Sequence, residues 1–362
     1  MRRLIKAIEE KTGVSISPYA LDKILRAIAT DSYGWRVVDI SDQPFPIVAE
    51  TLKQMENRGF LKFKGSRVEL TRNGKDLLRQ RGIYPKADFR CTHCKGTGYD
   101  VSTYAELIEK FKQILQKYPR PESVLNRWIM TPESVFRRVM LMVQKGNCPG
   151  KNIVLLKDAD LMSLALVLTR LPNTVVVLED DPALVAYLEE LAHAERLPIS
   201  VHKYDLQEPL PEEFVGAYDV FVTDPPEDYE TLLLHLKRAL TTLKAGEGQS
   251  GFFGLTHTEA SLRKWQILQR DLLVMNDIVI TDILYEFTDY ENENFEVEKV
   301  RSDIPIFQEK PTVPWYKSCV YRLETLSDFE PQNEAIEFRE DFDVDTERLA
   351  YSKNHETPNE EA

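Results

Sequence analysis

The chain has 362 residues but only four cysteines and six histidines. Four cysteines, two of them in a single Cys-x-x-Cys, do not make a disulfide framework, and no two histidines stand at metal-ligand spacing. No uninterrupted apolar run approaches the length that spans a bilayer, which argues against a membrane partner. The opening Met1-Arg2-Arg3-Leu4-Ile5-Lys6 lacks a signal-peptide core, so a cytoplasmic location is expected. What remains is 43% hydrophobic and 29% charged, the composition of a soluble globular chain long enough for two or three domains. The net charge of −13 is unevenly placed: Glu324 to Ala362 holds 13 acidic and three basic residues. Residues 326–362 therefore read as an acidic tail, largely disordered beyond about Arg348. Its solvated carboxylates favour solubility, with a lesser reading in which Glu340, Asp341, Asp343 and Asp345 attract a polycation.

Residues 1–85 have the pattern of a winged-helix domain. Leu4-Ile5…Ile8 and Leu21…Ile24-Leu25…Ile28 recur at helical spacing, and Pro44 to Asn57 is a further helix closed by Gly59. Phe60 to Phe63, a Lys-Gly-Ser turn and Val68 to Leu70 form a short hairpin, the wing. Between Gln43 and Pro85 nine Lys/Arg face four Asp/Glu, so nucleic acid is a partner to weigh; dimerisation or lid duty is the stronger reading. Residues 86–130 join a knuckle, Cys91-Thr92-His93-Cys94-Lys95-Gly96, to a helical linker broken at Pro119-Arg120-Pro121. Cys91 and Cys94 are candidate ligands for zinc or iron, but two thiolates leave a tetrahedral site incomplete. His93, Cys148 or a second subunit would have to complete it; the alternatives are a reduced structural knuckle or a redox pair.

From residue 131 to about 325 strands and helices alternate. Seven strands are expected: 152–156, 174–178, 199–202, 218–223, 251–255, 278–287 and 317–323. This is the pattern of an α/β, Rossmann-like, seven-stranded methyltransferase-type domain. Acids fall at the carboxyl ends of its strands, where open sheets bind ligands. Asp158 and Asp160 follow the first strand. Glu179 follows the second, at the position that bridges ribose hydroxyls, and Asp205 follows the third, suited to an adenine amino group. After the fourth, Asp224-Pro225-Pro226-Glu227 offers acceptors and few donors, because Pro has no N–H. Such a turn can grip an amine. The alternative is a strand ending in a Pro-rich turn with a solvated Asp, and the neighbouring acids favour a nucleoside-plus-amine site.

These stretches resemble the branched-chain polyamine synthases, the N4-bis(aminopropyl)spermidine synthases of thermophilic archaea and bacteria. The likeness rests on Thr131-Pro132-Glu133-Ser134, Asp158 to Leu161, Asp205-Leu206 with Pro209-Leu210-Pro211, and Thr223 to Glu227. Gly251 to Thr256, Ser261-Leu262 with Lys264-Trp265, and Val279 to Ile283 also match; the resemblance spans roughly residues 1 to 325. It implies aminopropyl transfer from decarboxylated S-adenosylmethionine, as co-substrate, to the secondary amine of spermidine. It also implies that Asp158, Asp160 and Asp224 form the catalytic acids, with Asp158 or Asp160 the proton acceptor. Pro225, Pro226, Glu227 and Glu259 would lie against the polyamine, and Glu179, Asp205 and Asp158 against the nucleoside; a homodimer is expected.

Two residues depart from the family's Gly-Asp-Asp-Asp-Leu loop. Lys157 stands for the Gly and Ala159 for the middle Asp. A cation added beside a polycation site, and a carboxylate lost from it, predict weakened activity, another amine, or a catalytically degenerate paralogue. Two further readings stay open. One is an S-adenosylmethionine-dependent amino methyltransferase acting on nucleic acid, against which Glu227 stands where such enzymes stack an aromatic. The other is a DNA-binding regulator that senses a nucleoside or polyamine.

Overall fold

A computed structural model describes residues 2–122, 128–226, 228–256, 262–275, 277–291 and 304–334. Glu227, Glu259 and most of the acidic tail lie outside the described residues. The N-terminal part is built from α1 (Arg2–Thr12), α2 (Pro18–Thr30), α3 (Gly34–Ser41) and α4 (Phe45–Asn57). An antiparallel hairpin follows, β1 (Leu61–Lys64) with β2 (Arg67–Leu70), and then α5 (Arg72–Gln80). Ser17 caps α2 by accepting the Ala20 N–H, with Pro18 at the first helical position. Thr71 caps α5 in the same way through the Gly74 N–H.

Helices α3 and α5 were not expected from the sequence. In α3, Trp35, Val37 and Val38 are buried, but the helix is only eight residues long, too short a run for its period to stand out. In α5, Arg72-Asn73-Gly74-Lys75-Asp76 reads as a polar turn, yet Gly74 lets the helix press on the hairpin. A Cβ there would lie 2.0 Å from the Phe60 carbonyl oxygen.

The N-terminal unit is sealed to the rest of the chain by aromatic rings. Trp35 sits 4.9 Å from Phe307 and 5.3 Å from Trp315, and Phe45 4.9 Å from Phe307, centroid to centroid. Phe45 is the first residue of α4, so the end of the helix that a helix-turn-helix protein would offer to a groove is buried against residues 304–316.

After a short 3-10 turn (Val101–Tyr104), α6 (Ala105–Lys117) and α7 (Pro132–Gln144) lead into the sheet domain. It comprises β3 (Asn152–Leu156), α8 (Met162–Thr169), β4 (Thr174–Glu179), α9 (Pro182–Glu195) and β5 (Ile199–Lys203). It continues with β6 (Val220–Thr223), α10 (Tyr229–Thr241), β7 (Ser250–Leu255), α11 (Leu262–Met275), β8 (Ile278–Asp289) and β9 (Lys317–Thr325). The order is β5-β4-β3-β6-β7-β9-β8; the first five strands are parallel, and β9 runs antiparallel to both its neighbours. All seven expected strands are present, with ends displaced by up to two residues. Buried on both faces, β3 sends Ile153 and Leu155 into one apolar cluster and Val154 and Leu156 into the other. Strand order reverses between β3 and β6, which opens a crevice beyond their carboxyl ends. Among the described residues no helix is long and apolar enough to cross a membrane.

The centre of the sheet tolerates little. A Cβ at Gly251 in β7 would lie 2.1 Å from the ring of Phe221 in β6. Gly251→Ala is expected to lower unfolding free energy by about 1–3 kcal/mol, read as a lower urea midpoint at unchanged slope.

Candidate active site

The loop after β3 turns sharply. Lys157 and Leu161 both adopt left-handed backbone, at φ 61° and 60°. Between them Asp158 and Asp160 are drawn inward, 2% and 7% exposed. The Asp158 N–H donates to Glu179 Oε2 at 3.1 Å, while its carboxyl accepts the Ser163 N–H at 3.2 and 3.4 Å and so caps the start of α8. Asp160 accepts the Met130 N–H at 2.7 Å. Burial, and then the charge of Asp160, push the Asp158 carboxyl up to about 7. Burial and the facing Asp224 carboxylate push Asp160 up to about 7 as well, against the pull of Arg138 and Arg120.

Asp224 leaves β6 into the same crevice. Its Oδ1 accepts from Arg138 Nη2 at 2.9 Å and its Oδ2 from the Tyr290 hydroxyl at 2.5 Å. Arg138 is 2% exposed and comes from α7. Its Nε donates to Thr288 Oγ1 at 3.0 Å and its Nη2 also reaches Ser318 Oγ at 3.3 Å. Burial works against the guanidinium charge, yet Asp224, Tyr290 and Asp160 together hold its pKa above the ordinary value. Gly254 makes room for the pair: a Cβ there would stand 1.9 Å from Asp224 Oδ1. Pro225 is buried and Pro226 exposed at the crevice rim.

Glu179 is fully buried at the end of β4, where it accepts the N–H groups of Asp158, Asp180 and Asp181 at 3.1 Å each. Burial pushes its carboxyl above the usual range. Lys157 turns its ammonium to Asp180, 2.7 Å away, rather than to the acids of the crevice. The structure thus brings together Asp158, Asp160, Glu179 and Asp224. Asp205 is exposed, and its carboxylate accepts the Gln207 N–H at 3.0 Å in a local turn.

Three comparisons bear on this geometry. The family model of the branched-chain polyamine synthase A C-terminal domain matches residues 106–350. The chain is 37% identical over 329 residues to N(4)-bis(aminopropyl)spermidine synthase of Thermococcus kodakarensis, covering 90% of this chain and 93% of that protein. The chain belongs to the branched-chain polyamine synthase family. The synthase of the same name from Methanocaldococcus jannaschii is 34% identical over 348 residues, 96% of this chain and 99% of that one. The branched-chain polyamine synthase of Thermus thermophilus, crystallised with N4-aminopropylspermidine and 5′-methylthioadenosine, shares the fold at a TM-score of 0.79. Its identity is 32%, over 93% of this chain and 95% of that one.

Within this family member, sequence reasoning missed Arg138 and Tyr290. Arg138 was legible in principle: it interrupts the buried stripe of Val135, Val139 and Met142, and a charge on a buried stripe needs a partner. Tyr290 stands between Asp289 and Glu291, and nothing local marks it as facing the crevice. The metal reading of Cys91 and Cys94 gains no third ligand. Among the described residues no three His, Cys, Asp or Glu side chains gather in a metal-holding group. His93 lies 3.2 Å from Asp100 instead, and Cys148 is buried. The thiol of Cys94 is lowered chiefly by the Gly98 and Gly96 N–H groups, and Gly98 N stands 3.4 Å from its sulfur. The donor set does not fit a tetrahedral metal within one chain.

Burial raises the proton affinity of Asp160 in the folded state, so the protonated form is the one folding favours. The associated stability is full below the unfolded-state carboxyl range and is lost as pH rises through about 7. Asp160→Asn should therefore raise stability at pH above 8 by about 1–4 kcal/mol, a gain that shrinks as pH falls toward 4. Thermal unfolding at the two pH values checks it.

Proposed function

We propose that the chain transfers the aminopropyl group of decarboxylated S-adenosylmethionine to the secondary amine of spermidine, giving branched polyamines. The observation that carries this reading is the acid pair Asp160 and Asp224 at the β3/β6 switch point of a chain in this family. The amine nitrogen attacks the aminopropyl carbon attached to the sulfonium, the carbon–sulfur bond breaks, and neutral methylthioadenosine leaves. The proton shed by the nitrogen goes to Asp160, whose proton affinity near neutrality suits a general base. Asp224 is the amine anchor, and Glu227 and Glu259 would continue the acidic track along the polyamine. Asp158 shapes the loop and joins it to Glu179, which would take the ribose hydroxyls, with Asp205 toward the adenine amino group. A sulfonium carbon is already electrophilic, so orientation and proton removal are the work left to the protein.

The N-terminal unit reads as a winged-helix-type packing module, in a cytoplasmic homodimer. The buried end of α4 gives no support to duplex binding by the N-terminal unit, so the DNA-binding regulator reading falls behind. The Lys157–Asp180 pair also softens the expected repulsion, because the ammonium is balanced where it stands.

Incubation with decarboxylated S-adenosylmethionine and spermidine should release methylthioadenosine at a rate that climbs through about pH 7, where Asp160 loses its proton. Absence of methylthioadenosine at every spermidine concentration would refute the reading. The double change Lys157→Gly with Ala159→Asp should raise spermidine affinity on the order of tenfold, chiefly through the carboxylate added at position 159.

A further inference from the structure

Burying a guanidinium is costly, and an apolar residue of similar volume would stabilise the core at least as well. Arg138 is 2% exposed and nonetheless incompletely satisfied, since its Nη1 is buried with no hydrogen-bond partner. Its other nitrogens are spent at the crevice, on Asp224, Thr288 and Ser318. The charged and titratable groups facing it are Asp224 from the end of β6, Tyr290 from the end of β8 and Asp160 from the loop after β3. Asp160 in turn faces Asp224, Arg138, Arg120, Asp158 and Tyr290. Arg138 therefore stands behind two carboxyls that would otherwise meet as like charges.

We infer that Arg138 is a positioning residue of the transfer: with Tyr290 it fixes both oxygens of Asp224 in one orientation within the crevice. The inference rests on the aminopropyl-transfer reading and adds a residue to it. Arg138 does not touch substrate; it acts through Asp224. Gly254 belongs to the same arrangement, because any side chain there would drive Asp224 off the guanidinium.

The test compares Arg138→Met and Arg138→Lys with wild type, following methylthioadenosine release from decarboxylated S-adenosylmethionine and spermidine across pH. With Met, kcat is expected to fall on the order of a hundredfold, more than the spermidine KM changes. The rising limb of the pH profile should move up by about one unit, because the cation that eases Asp160 ionisation is gone. Lys, which keeps the charge but not the fork, should restore the limb and only part of the rate. A limb that stays in place in an active, folded Met variant overturns the inference. Should the Met variant fail to fold, as read by circular dichroism, the Lys variant decides: a wild-type kcat overturns the inference, and a rate at least about tenfold lower on an unshifted limb supports it. A wild type that releases no methylthioadenosine refutes the transfer itself, a distinct outcome from a wild type that is active while Arg138 proves dispensable.

Discussion

The pairing of Asp224 with Arg138 organises the crevice. It joins the end of β6 to α7, and through Thr288 and Ser318 it draws in β8 and β9, the antiparallel edge of the sheet. Tyr290 closes the arrangement from the other oxygen of Asp224. Because the guanidinium is buried, each partner needs the others. Removing one would leave a charge stranded in a low dielectric rather than a weak surface contact broken. The absence of a side chain at Gly254 is part of the same constraint, set by a distance of 1.9 Å.

Around this pair the acids divide by environment. Asp158 is spent on the backbone of α8, and Glu179 on three N–H groups, so both shape the loop after β3. Asp160 accepts one backbone N–H and faces Asp224; burial pushes it, like Asp158, up to about 7, but it is not committed to a helix start. Carboxyls a few residues apart in sequence thus hold different capacities, and their surroundings rather than their chemistry make the difference.

The far side of the site is stiffened by contacts across the whole chain. Lys317 of β9 reaches Asp39 of α3 at 2.5 Å, while Arg90, ahead of the cysteine knuckle, reaches Glu286 of β8 at 2.8 Å. With Trp35 and Phe45 set against Phe307 and Trp315, these contacts make the N-terminal unit a buttress of the sheet. That use explains why a helix-turn-helix pattern with basic residues need not imply a nucleic-acid partner. The pattern records how helices pack, and the face they present is decided by what covers them.

Much of the fold was legible in the sequence because its signals are local. Strands bounded by Gly, Pro and Asp, and helices opened by Ser17-Pro18 or Thr131-Pro132, announce themselves within a few residues, and so does a carboxylate left at a strand end. Asp160, Glu179 and Asp224 could be named on that basis. Helix α3 could not, because eight residues are too short a run for a helical period to be read. Arg138 could be suspected as a charge on a buried stripe, but its pairing with Asp224, 86 residues away, and that of Tyr290, 66 residues away, exist only through tertiary contact. The sequence by itself determined the strand order's raw material and the acids at the strand ends. Which acid is clamped, which caps a helix and which faces Asp224 was decided by the tertiary structure. Proton affinity and hydrogen-bond partnership depend on burial and on charges brought in from distant elements.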